Sequence, residues 1–221
     1  MDIHKPKPWH GLREFLKEYV IIVVGVLTAL AGEQTVELIH RQQEVAEARE
    51  ALREEMVADA TLLKLDLEEA PCVQAKLDRV TAWANGEGQP DVNMGSAGVE
   101  LSASAWEEAK SAAVSRMPLS QRIAYDKFYA AVRDRNETTH DERLALASLG
   151  RYLAQPHVPP DERVRALEDV AYAKLHVLLV AGYDRTMLDQ AKAMGASPGR
   201  YDRARMGALD KVCGRTPAPA S

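Results

Sequence analysis

Residues Tyr19 to Gly32 read YVIIVVGVLTALAG, an uncharged run closed by Lys17 and Glu18 on one side and by Glu33 on the other. No other feature constrains the chain as strongly, because so much contiguous apolar surface has to leave water. As a helix rising ~1.5 Å per residue the run covers roughly 21 Å, short of the ~30 Å hydrocarbon core of a bilayer. Its flanks lengthen it. Trp9, Phe15 and Tyr19 suit an interfacial aromatic belt, Lys17 can snorkel, and Leu12, Phe15 and Leu16 extend the apolar surface. The sequence therefore predicts a cytoplasmic basic and aromatic segment at 1–18 and a transmembrane anchor at 19–35. Two other readings stay open. Ala29-Leu30-Ala31 matches a signal-peptidase site, although Asp2, Glu14 and Glu18 are unusual in an n-region and the helical pattern runs on through Ala31. The run also has the length of a helix buried in a soluble protein.

Charge gives the address. The formal net charge of −5 divides into four basic against three acidic side chains over Met1–Glu18, and 24 against 30 over Glu33–Ser221. Lysine and arginine bias thus predicts a cytoplasmic N-terminus in a bacterial inner membrane and a periplasmic body, with Arg41, Arg49 and Arg53 narrowing the margin. An acidic body whose basic residues are interleaved with acids carries no nucleic-acid footprint.

The anchor also resembles a bacterial family of uncharacterised single-pass membrane proteins. The likeness rests on Phe15 and Glu18 (Phe-x-x-Glu), on Gly25-Val26-Leu27 with Ala29-Leu30 (Gly-Val-Leu-x-Ala-Leu), and on the acidic exit at Glu33 and Glu37. It covers about thirty residues and departs near Thr35, where those relatives commonly have tryptophan. The resemblance implies an uncleaved anchor followed by a helical extracytoplasmic body, and it implies no activity.

The remainder predicts an all-α fold: the N-terminal transmembrane helix continues into a long helix, followed by a helical bundle over 36–213 and a disordered tail at 214–221. Glu33 to Ala70 lacks glycine and proline, and Val36, Ile39, Val45, Ala48, Leu52, Met56, Ala60, Leu63 and Leu67 recur at helical steps. Pro71 should stop this helix, and Gln42, Gln43 and Asp59 interrupt any clean heptad. Further helices are expected at Cys72–Ala84, closed by Asn85-Gly86; from Ser104, through a capping box to Glu107, up to Met117; and at Leu119–Ala154, with the polar Arg133–Arg143 stretch as a kink or break. Pro160-Asp161-Glu162 should open a helix reaching Gly195, apolar nearly all round and so central in the bundle. Arg200–Val212 reads as a last amphipathic piece.

Chemistry is sparse. There is no Walker loop, dinucleotide fingerprint, His-Glu-x-x-His or zinc-spaced cysteine pair. Gly195-Ala-Ser197-Pro-Gly199 matches Gly-x-Ser-x-Gly, but it follows helix instead of strand and no histidine follows it, so it reads as a turn. Glu37 with His40 and Glu137 with His140 have the Glu-x-x-His spacing of di-iron bundles, against the simpler reading of exposed side chains; no metal or other cofactor is expected. Cys72 and Cys213 are too far apart for a metal or redox motif; in an oxidising compartment they can pair, and two separate thiols are as good a reading. The stripe Gly25, Ala29, Glu33 and Glu37, with Gly32 beside it, would let another helix approach closely and bring a polar partner to Glu33. The expectation is a non-catalytic, membrane-anchored interaction protein in contact with lipid, self-associating or an accessory subunit of an inner-membrane complex. A ligand-binding sensor bundle acting through a partner is the alternative, and a di-metal carboxylate enzyme a distant third.

Overall fold

The computed structural model describes residues 11–88, 98–155, 158–200 and 213–214. The described residues form helices and no strands: α1 (Leu12–Ala84), α2 (Ser104–Ala109), a single 3₁₀ turn (Val114–Arg116), α3 (Leu119–Leu153) and α4 (Pro160–Ala193). The chain divides into two compact units, Met1–Glu47 and Ala48–Ser221. In the first, the described residues are the beginning of α1, and its large apolar side chains are exposed.

The second unit is built on α3, α4 and the later part of α1. Arg49 donates to Gln121 (3.0 Å), Arg135 binds Asp66, and Val73, Leu77 and Val80 share a core with Ala145, Leu146 and Leu149, so α1 and α3 run in the same direction. The crossing 98–118 carries the chain back between them. Lys174 pairs with Asp78 (2.7 Å) and Asp184 with Arg135 (2.9 Å), which sets α4 antiparallel to both.

On each helix a subset of the buried positions follows alternating four- and three-residue steps, with others such as Leu62, Leu65, Tyr129, Tyr152 and His176 beside it. The subset is Leu52, Met56, Asp59, Leu63 and Asp66 on α1; Phe128, Val132, Arg135, Thr139, Glu142, Leu146, Leu149 and Leu153 on α3; and Ala166, Val170, Ala173, Val177, Val180, Asp184, Met187 and Ala191 on α4. This is the heptad seam of coiled-coil packing. Asp59 therefore sits within the seam and does not interrupt it, contrary to the sequence expectation.

Three boundaries differ from expectation. The helix does not stop at Pro71: the ring removes one N–H, but Pro71 is exposed and Val73, Leu77 and Val80 beyond it are buried, so packing outweighs the lost bond. The expected separate helix at Cys72–Ala84 is the end of α1. It closes as expected, with Gly86 at φ +92°, a backbone state that residues other than glycine rarely adopt, and the Glu87 N–H donating to the Ala82 carbonyl (2.8 Å). The capping box at Ser104 does not form either. Ala103 is the N-cap, and the Ser102 and Ser104 hydroxyls with the Ala105 N–H turn to the Glu55 carboxylate of α1 (2.7, 2.9 and 2.9 Å), which caps α2 from outside. α2 is correspondingly short. The 3₁₀ turn occupies the end of the helix expected up to Met117.

Pro160 opens α4 at its first position, with Asp161 and Glu162 in the first turn and Lys192 in the last, complementing the helix dipole. α4 is not the enclosed central helix its composition suggested. One face is buried, and Val164, Tyr172, Leu175, Leu178 and Leu179 are exposed on the other. The amphipathic piece expected at Arg200–Val212 and the tail fall outside the described residues, apart from Arg200 and Gly214.

Candidate functional site

The polar stretch of α3 is neither broken nor wholly solvated. Arg135, Thr139 and Glu142 take seam positions and are buried, while His140 and Glu137 face out. Arg135 is the largest fully buried side chain. Its Nε donates to Asp184 Oδ1 (2.9 Å), one terminal nitrogen binds Asp66, and the other binds the Val99 carbonyl. One guanidinium thus ties together α1, α3, α4 and the crossing segment. Burial works against its charge, but Asp184 and Asp66 outweigh it and hold its pKa above the ordinary arginine value.

The crossing segment explains much of this polarity. Residues 98–103 are not helical, so their backbone groups must find partners elsewhere. Asn136 exchanges both amide hydrogen bonds with Leu101 (2.9 Å each), Asp59 accepts from the Ser102 N–H (3.0 Å), and Arg143 holds Glu100 (2.6 Å). Side chains of α1 and α3 thereby replace the missing ladder.

A small cavity of about 20 Å³ remains beside this network, lined by Asp66, Glu69, Glu142 and Asp184 with Ala70, Val73 and Val177. That is room for about one water molecule. Asp66 Oδ1 and Asp184 Oδ2 make no hydrogen bond, and Glu142 is 6% exposed. Burial pushes the Glu142 carboxyl up to about 7, helped by the charge of Asp66, and pushes Asp184 up to about 7 against the pull of Arg135. Asp59 rises to about 7 for the same reason, only partly offset by the Ser102 N–H. Glu55, half-buried, goes the other way: burial opposes its charge, but the Ala105 N–H and the two serine hydroxyls outweigh it. The cluster is thus suited to holding protons and a water at near-neutral pH.

Stability should follow. A carboxyl whose folded pKa is about 7 binds its proton more tightly in the folded state than in the unfolded chain, so between its ordinary value and 7 the folded form carries more protons. The unfolding free energy should fall as pH rises from about 4 to 7, by on the order of 1 kcal/mol or more, and level off above that. Urea titrations at stepped pH measure it, and Glu142→Gln should remove part of the slope. A curve that rises over this interval would refute the assignment.

Among the described residues, no group of three or more His, Cys, Asp or Glu is arranged to hold a metal ion. Glu37 binds Arg41, and His40 lies 3.5 Å from Glu44. Ser197 is exposed in the loop after α4, where Gly199 donates to Thr61 Oγ1 (2.8 Å).

The structure joins Cys72 to Cys213, with Cα atoms 5.1 Å apart. On α1, Gly25, Ala29, Glu33 and Glu37 fall on one exposed face with Gly32 next to it, and a Cβ added at Gly25 or Gly32 would meet nothing within 4 Å. Thr28 and Thr35 satisfy their hydroxyls on the carbonyls of Val24 and Ala31 (2.8 and 2.7 Å). α1 is the only helix among the described residues long and apolar enough to cross a membrane, in its N-terminal part. No protein-family model, curated protein or solved structure matches the chain.

Proposed function

We propose that this protein is a non-catalytic, membrane-anchored interaction protein of the bacterial inner membrane, with a cytoplasmic N-terminus and a periplasmic helical body. Membership of the single-pass family that its anchor resembles is part of the proposal. The observation that carries it is the exposure of Val20, Ile21, Ile22, Val24, Val26, Leu27 and Leu30, a run of apolar side chains that is left exposed among the described residues. Such a surface requires lipid or another helix. Arg135 and Asp59 are occupied in holding the crossing segment, Asp66 and Asp184 in pairing with Arg135, and the 20 Å³ cavity is too small for an organic ligand of the kind a sensor bundle would bind.

The stripe Gly25, Ala29, Gly32, Glu33 and Glu37 is the proposed contact, with its small residues admitting a neighbouring helix and Glu33 meeting a polar group at the membrane boundary. Gly25→Leu should weaken association of the full chain in membranes by on the order of tenfold, with the melting of the body unchanged. Gentle detergent extraction of tagged protein, followed by particle mass and subunit composition, reads the result. Association unaffected by Gly25→Leu would remove the stripe as the contact.

A further inference from the structure

We infer that a second copy of this chain packs antiparallel on the exposed face of α4. The inference rests on the interaction reading above and names a partner and a surface for it.

The exposed face repeats the rule of the buried one. Asp161, Val164, Glu168, Ala171, Leu175, Leu178, Gly182, Arg185, Asp189 and Lys192 follow one another at alternating three- and four-residue steps, and all ten are exposed. α4 thus carries a second seam at heptad spacing opposite the one that packs on α1 and α3, apolar at Val164, Ala171, Leu175 and Leu178 and charged at Asp161, Glu168, Arg185, Asp189 and Lys192. Leu175 is 51% and Leu178 64% exposed at its centre, with Tyr172 and Leu179 alongside. A single seam of this kind is the surface a facing helix takes up.

The charges choose the occupant and its direction. Asp161, beside Arg165 (3.7 Å), and Glu168 lie toward the N-terminal end of the seam, and Arg185 and Lys192 toward the other, with Asp189 between them and 3.6 Å from Lys192. A parallel copy would set Glu168 against Glu168 and Arg185 against Arg185. An antiparallel copy turned about a point between His176 and Val177 sets Glu168 against Arg185, Asp161 against Lys192, Leu175 against Leu178, and Ala171 against Gly182. Every one of these matches falls in a single register. The two small residues allow close approach, and neither Glu168 nor Arg185 has an ion-pair partner in its own chain among the described residues. Only Val164 against Asp189 is mismatched, with Arg165 next to it. The arrangement is isologous, as a two-fold dimer requires.

The test uses the full chain in mild detergent. Wild type should run as a dimer, and Leu175→Asp with Leu178→Asp should halve its mass without changing helix content. Glu168→Arg or Arg185→Glu alone should weaken the dimer ~10-fold, and the two together should restore it. When differently tagged Ala171→Cys and Gly182→Cys chains are mixed, they should cross-link to each other, while Ala171→Cys should not cross-link to itself. Gly182 has room for the added atoms within its own chain. A dimer indifferent to these changes but dissociated by Gly25→Leu would overturn the α4 contact and leave the interaction reading standing. A stoichiometric foreign subunit in place of the second copy would do the same. A particle of one chain alone would overturn both.

Discussion

Replacing Arg135 by alanine should destabilise the folded body by about 3–5 kcal/mol, measured by urea unfolding of the full chain in detergent. The guanidinium is fully buried and binds Asp66, Asp184 and the Val99 carbonyl. Without it two buried carboxylates lose their counter-charge and a backbone carbonyl loses its donor, which costs far more than the ion pairs contribute net. Arg133→Ala, two residues away and exposed, should stay within about 0.5 kcal/mol. The informative comparison is the triple change Asp66→Leu, Arg135→Met and Asp184→Leu. Removing all three charges together leaves nothing stranded, so the triple variant should be much more stable than Arg135→Ala. Should the two variants be equally unstable, the loss comes from shape and the Val99 contact, and the charge argument fails.

The same residues show what a sequence discloses and what it conceals. Termini with their own local chemistry were legible: Asn85-Gly86 closes α1, and Pro160-Asp161-Glu162 opens α4. The all-α class was legible from helical periodicity and from long stretches free of glycine and proline. Pro71 was not, because a proline signal is local whereas the burial of Val73, Leu77 and Val80 that overrides it is tertiary. The polar centre was hidden by a hydrophobicity habit, since Arg135, Thr139 and Glu142 look like a solvated stretch when sorted by residue type. Sorted by position, they continue the Phe128 and Val132 stripe in step to Leu146 and Leu149, and that was the available signal. Asp59 and Asp66 on α1 are the same case. The capping of α2 by Glu55 was beyond reach, because the acid and the helix it caps lie some fifty residues apart. α4 misled by being apolar on two sides. Its inner face fills the core, and its outer face is a second seam.

Loss of the bridge between Cys72 and Cys213 should lower the unfolding free energy of the body by about 2–5 kcal/mol. The bond joins positions 141 residues apart, and a closed loop of that size restricts the unfolded chain strongly. Cys72→Ser with Cys213→Ser should therefore lower the melting temperature by roughly 5–15 °C, and the more expanded unfolded state should steepen the urea dependence. Reduction of the wild type should reproduce both effects. An unchanged melting temperature would mean that the link restrains only the last residues of the chain. The same bond reports on the compartment, since cytosolic thiols are kept reduced and periplasmic pairs are oxidised. Protein taken from cells under acid quench, denatured and treated with maleimide before any reductant, should show no labelled cysteine if the body is periplasmic. Labelling of both would place the body in the reducing cytoplasm and reverse the proposed orientation of the anchor, while leaving the helical interaction surfaces as they are.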